Sequence, residues 1–409
     1  MGFTVEQECP QCGAPIALEE TDHLIICPYC NIKNYLFAQD YFRFVLPPKV
    51  SNRDILYAPY MRFKGEAFLC EGATIDHSIV DLTYQGSSYK QLPISLGVRP
   101  QAMKMRFVTP DVRGFFLQCS LKPLDVLANV GKRTSALSPG NLFHRAYIGE
   151  AFSLIFLPLF VQGNGIFDAV INRPIAALAD DEVFPPPGGD DKPAWRITFM
   201  ATICPHCGGD LEGERDSVVL NCGNCDTAWE AVEGRLIQVD CQVVPGKGKD
   251  LRYLPFWKLM VRDAGLGINT YADFIRITKQ PLVMQRAWED RELSFWIPAF
   301  KIQPKVFLRL ASQMTILQHA SVMMEECIPR KNLYPVTLPR GEAAQSLKIT
   351  LASSVVDRRE VFPLLPQCDF AIPKSSLIYL PFRSLGPDIM HEETGISINK
   401  NTLKYGRYL

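Results

Sequence analysis

The sequence predicts a mainly β chain, with α+β admissible, made of two tandem copies of a four-cysteine module followed by a β-rich domain. Three observations predict it. Four C-x-x-C pairs fall into two sets of equal internal spacing. Aromatic and aliphatic runs with a proline inside recur in the same order after each set. The chain is also rich in Phe, Tyr and Pro (24, 14 and 31), while long polar-periodic stretches are few, which favours strands and turns over helices.

The cysteines carry the strongest signal. Cys9, Cys12, Cys27 and Cys30 form the first set, and Cys204, Cys207, Cys222 and Cys225 the second. Fourteen residues separate the pairs in each set, and every cysteine shifts by 195 positions between them. Random placement yields on the order of half a C-x-x-C pair at this cysteine frequency. Two residues between cysteines let one tight turn aim both sulfurs at one ion, and a tetrahedral ion needs two such turns face to face. The residues that follow the pairs, Gly13, Asn31, Gly208 and Asp226, are the types that best tolerate positive φ. Between the pairs, Ile16, Leu24 and Ile25 match Leu211, Val219 and Leu220, a small apolar core beside each ion. A thioredoxin-like redox pair needs one C-x-x-C opening a helix after a strand, whereas these come matched in twos. A rubredoxin-type iron centre uses the same ligands and stays open. His23 and His206 lie close by and read as bystanders.

The five other cysteines, Cys70, Cys119, Cys241, Cys327 and Cys368, are scattered and odd in number. They read as small buried core residues in a reducing compartment, not as a disulfide framework.

With their following glycines, CPQCG and CPHCG resemble the knuckles of the zinc-ribbon family over about fifty of the 409 residues. That resemblance implies two structural Zn(2+) ions, each held by four thiolates in a closed shell, and little about activity.

The repeat extends past the ribbons. ILYAPYMRFKG around Pro59 aligns with LRYLPFWKLMV around Pro255, pairing Tyr57 with Tyr253, Tyr60 with Phe256 and Arg62 with Lys258. LPISLGVRP (Pro93, Pro100) aligns with IPAFKIQP (Pro298, Pro304), and LIFLPLF (Pro158) with LIYLPF (Pro381), as the offset grows from 195 to 223. Proline donates no ladder hydrogen bond, so each belongs at an edge, a strand start or a bulge. These runs read as core strands, with an aromatic groove as the alternative. Short helices suit Pro100 and Pro304, while the alternation at Met103–Phe107 is strand-like. The expected organisation is a ribbon over 1–46, a β-rich domain over 47–179, a Pro/Gly/Asp linker over 180–194, a second ribbon over 195–245 and a second β-rich domain over 246–409.

Charge and motifs bear on function. The net charge is zero, but 1–46 carries six acids against two bases, and 200–240 eight against two. Acidic ribbons disfavour tracking of phosphates, which requires cations. The compensating bases include Arg99, Lys104, Arg106, Arg113, Lys132, Arg133 and the tail Lys400, Lys404 and Arg407. They read mainly as solvated faces, and docking on an acidic surface or on membrane headgroups stays open. PGKGKD at 245–250 lacks phosphate-loop spacing, and no hydrolase, zincin or dinucleotide signature occurs. Asp76, His77 and Ser78 are triad types side by side, an adjacency that means little, and His144 and His319 read as structural. The N-terminus has no basic-then-apolar signal, and the longest apolar run, broken by Pro158, is about half a membrane span. The expectation is a cytoplasmic, non-enzymatic zinc-ribbon scaffold or adaptor that binds protein partners. The alternatives are a nucleic-acid-associated factor and an enzyme with its site between the halves.

Overall fold

The computed structural model describes residues 3–87, 89–134, 142–178, 184, 197–248, 250–318, 328–329 and 331–409. Strand accounts for 42% and helix for 19%, so the chain is mainly β with some helices. The linker expected at 180–194 lies outside the described residues except for Phe184, as do His319 and Cys327.

In the first half, β1 (Thr4–Glu8) and β2 (Pro15–Glu19) form one hairpin, and β3 (Leu24–Ile26) and β4 (Lys33–Phe37) a second. Then come β5 (Phe42–Val45), β6 (Leu56–Glu71), β7 (Thr74–Gln85), α1 (Arg99–Ala102), β8 (Lys104–Phe107), β9 (Phe115–Phe116), α2 (Pro123–Thr134), β10 (Leu142–Gln162), β11 (Gly165–Asp168) and β12 (Arg173–Ala177). The second half runs β13 (Thr198–Ala201), β14 (Leu211–Glu212), β15 (Val219–Cys222), β16 (Ala228–Val232), β17 (Arg235–Val239), β18 (Cys241–Val243), β19 (Leu251–Asp263), α3 (Tyr271–Thr278) and β20 (Ser294–Pro298). It ends with α4 (Pro304–Leu317), α5 (Arg340–Gln345), α6 (Leu347–Ser354), α7 (Arg358–Val361), β21 (Phe370–Leu385), β22 (Asp388–Met390), β23 (Ser397–Asn399) and α8 (Lys400–Gly406).

The described chain divides into two compact units that are discontinuous in sequence. One comprises Met1–Lys64, Val80–Thr134 and Ala151–Ala201, the other Gly65–Ile79, Ser135–Glu150 and Thr202–Leu409. In the first, β13 pairs with β4, Thr198 opposite Phe37, although it belongs to the second half by sequence.

Strand pairing repeats between the halves. The short strand after each ribbon lies parallel to a late long strand: Val45 faces Phe156, and Val243 faces Tyr379. Leu46 N–H donates to the Phe156 carbonyl at 3.1 Å, and Val244 N–H to that of Tyr379 at 3.0 Å. Each late strand then turns into a hairpin, with Gln162 opposite Gly165 and Leu385 opposite Asp388, positions that differ by 223. That is also the offset from Pro158 to Pro381. Between these elements, β6 pairs with β10 and β7, and β19 with β21 and β20.

The prolines fall only partly where expected: Pro255 and Pro381 lie inside the β19·β21 ladder, opposite Tyr379 and Tyr253, and it is towards β20 that pairing stops at a proline. Pro298 closes β20, and the β19·β20 ladder starts at Phe256, one residue past Pro255. The Pro255 carbonyl accepts the Ala299 N–H at 3.0 Å, as the Pro59 carbonyl accepts the Gly86 N–H at 2.7 Å. Pro304 opens α4 in the first turn, where its missing N–H costs nothing. Met105 and Phe107 of β8 are buried, while Lys104 and Arg106 are exposed, which gives that segment its strand period. The aromatic runs are core, not groove: Tyr57, Tyr60, Phe256, Trp257, Phe295, Trp296 and Phe382 are all buried.

One buried ion-pair group braces the first unit. The Arg62 side chain is 1% exposed and binds both Asp81 oxygens, at 2.8 and 2.9 Å, while its third nitrogen donates to Glu20. Burial works against ionising Asp81, but the guanidinium outweighs it and holds the carboxyl below its usual value. Arg62→Ala leaves Asp81 with Gln101 and Glu20 with Lys64 as remaining partners, and the expected loss is about 3 kcal/mol of unfolding free energy, read from the urea midpoint. An unchanged midpoint refutes the bracing role.

Candidate metal centres

Each knuckle is built by the same backbone device. The N–H of Gly13, Asn31, Gly208 or Asp226 donates back to the carbonyl of the cysteine four residues earlier, at 2.9–3.0 Å. That cysteine's own N–H donates forward to the carbonyl of Ala14, Ile32, Gly209 or Thr227, at 2.7–3.1 Å. Closing both bonds forces the residue after each pair into the left-handed region, with φ of 70°, 57°, 73° and 53°. Gly, Asn and Asp enter that region at least cost, so the sequence expectation holds at all four turns.

The turns bring the sulfurs together. In each set of four cysteines, all ligand atoms lie within 4.8 Å of one another. The Cys9–Cys30, Cys12–Cys27 and Cys204–Cys225 sulfurs are 3.7 Å apart, and Cys207–Cys222 3.5 Å. Four sulfurs about 2.3 Å from a central ion sit about 3.8 Å apart at tetrahedral angles, so both sets fit one metal ion. The spacing is far from the ~2.05 Å of a disulfide. Beside each site Ile16, Leu24, Ile25, Leu211, Val219 and Leu220 are buried, as expected.

Electrostatics favours bound cations. The N–H of Cys30, with that of Tyr29, pulls the Cys27 thiol down to about 6. Cys30 is pushed up to about 12: the Ile32 N–H favours its thiolate, but desolvation and the neighbouring cysteines prevail. At the second site burial opposes ionising Cys204, yet the Thr227 hydroxyl and the N–H groups of Cys207 and His206 draw it down to about 6.

The second site carries polar support that sequence reading missed. Thr227 Oγ1 lies 3.1 Å from the Cys225 sulfur and accepts the Trp229 indole N–H at 2.9 Å. Asn224 Nδ2 donates to the Cys207 sulfur at 3.4 Å. The matching first-site positions hold Ile32 and Tyr29, so the signal was available as polar substitutions between aligned ribbons. His23, stacked on Tyr35, and His206 are outside both sulfur groups.

Other candidates do not converge. Asp76 and Ser78 point to one face of β7 and His77 to the other, because side chains alternate along a strand. Burial, with Lys348 nearby, pushes His144 down to about 4. Burial raises Cys70 and Cys241 to about 12 and Cys368 to about 11, so these are unreactive thiols. The basic tail docks on the second ribbon: Arg407 Nε donates to Asp216 at 2.7 Å and also pairs with Glu214. Among the described residues, no helix is long and apolar enough to cross a membrane. Comparison with family models, curated proteins and solved structures finds no match for this chain.

Glu342 sits near Glu150 and Lys301, and its carboxylate accepts the Glu150 N–H at 3.1 Å. Burial raises it to about 7, with Glu150 adding repulsion and Lys301 opposing. The folded chain therefore holds this proton more tightly than the unfolded one. The contribution is complete below the ordinary value of 4.5 and is lost as pH rises through about 7. Glu342→Gln removes that loss, and unfolding at pH 8 relative to pH 5 should improve by about 1–3 kcal/mol. For the metal centres, Cys204→Ser should lower the metal bound per chain from two ions to one by elemental analysis. Retention of both ions refutes the ligand assignment.

Proposed function

We propose that this chain is a non-enzymatic scaffold: a duplicated, cytoplasmic zinc-ribbon protein that serves as a subunit of a protein assembly. The observation that carries the reading is the closed sulfur shell. Four thiolates complete a tetrahedral ion and leave no position for water or substrate. Cys9, Cys12, Cys27, Cys30, Cys204, Cys207, Cys222 and Cys225 are then structural ligands. Zinc suits a site that needs only charge neutralisation and fixed geometry, since it has no redox chemistry and no ligand-field preference. Duplication accounts for the shared offsets and for the repeated pairing of β5 with β10 and of β18 with β21.

Surface chemistry supports protein partners. Tyr29, at a knuckle tip, is 68% exposed, and Ile203, next to Cys204, 54%. Val283 is 87% exposed between Leu282 and Met284, themselves exposed, so this loop presents an apolar patch. A cleft of about 550 Å3 beside the second ribbon, lined by Asp210, Glu212, Asn221 and Tyr334, adds an acidic surface. The nucleic-acid reading is weaker because the ribbons are acidic and Arg407 is already paired with Asp216.

The test has two parts. Purified chain should contain two zinc ions and lack the visible absorption of a ferric tetrathiolate. A photo-crosslinker at Tyr29 or Val283, expressed in the native host, should capture a defined protein in stoichiometric yield. Failure at both positions, or turnover of a metabolite by the purified chain alone, defeats the scaffold reading.

A further inference from the structure

Three strands of the second unit place a row of polar groups on one sheet face. Lys258 of β19 stands opposite Trp296 of β20 and Ser376 of β21. Met260, two residues along, stands opposite Ser294 and Lys374. Directly opposed residues share a face, so these six side chains project together. With Gln242, Arg291, Glu292 and Gln318 they line a pocket of about 290 Å3. Ser294, Trp296, Gln318 and Ser376 are buried, Lys258 and Arg291 half-buried and Lys374 exposed.

The positive charge in this pocket is only partly offset, by Asp240 near Lys258 and by Glu292 on the wall. Among the described residues, no carboxylate lies within ion-pair distance of Lys258 or Lys374. Glu292, the acid on the wall, lies 3.6 Å from Arg262, and Asp240 accepts the Ser376 hydroxyl at 2.7 Å. Arg291 is oriented by the Gln318 carbonyl and stacks over the Tyr271 ring at 5.3 Å, which leaves guanidinium donors available. Lys258 lies 5.4 Å from the Trp296 ring. Burial, then Arg291 and Lys374, lower its pKa, and Asp240 opposes them.

The first half supplies an internal control. Its counterpart of Lys258 is Arg62, which is neutralised by Asp81 and Glu20. The equivalent bonds from Gly86 to Pro59 and from Ala299 to Pro255 align β7 with β20. Five residues before Gly86 stands Asp81, and five before Ala299 stands Ser294. The carboxylate that satisfies the cation in one half is thus a small hydroxyl in the other, and a cavity takes its place.

We propose that this pocket binds a small ligand bearing a phosphate group, with Lys258, Arg291 and Lys374 as its cationic contacts. Three cations suit a dianion, and Arg offers planar paired donors to its oxygens. The volume, at the low end for ligand pockets, suits a small phosphorylated metabolite and excludes a polymer. The site is separate from the zinc ions and leaves the scaffold reading untouched.

The experiment uses full-length, zinc-replete protein titrated with inorganic phosphate, with sodium chloride matching the ionic strength, followed by thermal unfolding and calorimetry. A saturable rise in Tm of about 5 °C at one hundred times Kd is expected. Lys258→Met should abolish it. Ser294→Asp, which restores the first-half carboxylate, should also abolish it while keeping Tm without phosphate at or above wild type, so loss of binding is not misfolding. Unchanged zinc content in both variants separates this result from any failure of the ribbons. A phosphate response no larger than that to chloride, or one that survives in both variants, overturns the proposal. So does binding of a short RNA with no response to inorganic phosphate.

Discussion

Four sulfurs held within 4.8 Å of one another must share one cation or give up their charges, and much else in this chain is arranged around that condition. The knuckle N–H groups make the sulfurs good ligands, yet Cys30 and Cys222 pushed up to about 12 mark how strongly the groups resist ionising together without metal. Desolvation leads the causes at Cys222, ahead of the neighbouring thiols. A bound ion resolves the conflict and locks two hairpins into one module. Each module is followed by a short strand, β5 or β18, that pairs parallel with β10 or β21.

The two halves, read as a duplication, share the pairing of β5 with β10 and of β18 with β21, but differ in elements, as the helix α4 takes the place of β8 of the first half, and in how they satisfy polar groups. The first ribbon has Ile32 and Tyr29 where the second has Thr227 and Asn224, whose hydroxyl and amide reach the sulfurs of the second site. In the first half Arg62 is closed off by carboxylates, and in the second Lys258 faces a pocket. Both polar differences alter what a ligand or ion meets, which is where copies of one fold can diverge without unfolding.

Legibility from sequence followed the range of the interactions. The knuckles were legible because a C-x-x-C turn is local: its positive φ falls on a Gly, Asn or Asp that sits next to the cysteine. The proline-bearing strands were legible from their apolar, aromatic runs, while Pro298 alone closes its strand and Pro255 sits inside the β19·β21 ladder. Long-range choices were hidden. Nothing near Thr198 announces that β13 pairs with β4, or that the compact units break within β6, β7 and β10. The pocket was hidden for the same reason: Lys258, Arg291 and Lys374 are far apart in sequence, and only the registers of β19, β20 and β21 bring the row together.

The row itself argues that Lys258 has a task beyond stability. A cation on the middle strand of a sheet loses hydration, and a partner must offset that cost. Arg62 has such partners, so its burial is self-consistent. Met260, one step along the same face, demonstrates that an apolar side chain fits beside Ser294 and Lys374. A sheet that needed only packing is therefore served by a methionine-like residue at position 258 as well. Lys258 places a positive charge beside Arg291 and Lys374, makes no ion pair among the described residues and has Asp240 as a partial offset, an arrangement that an arriving anion improves.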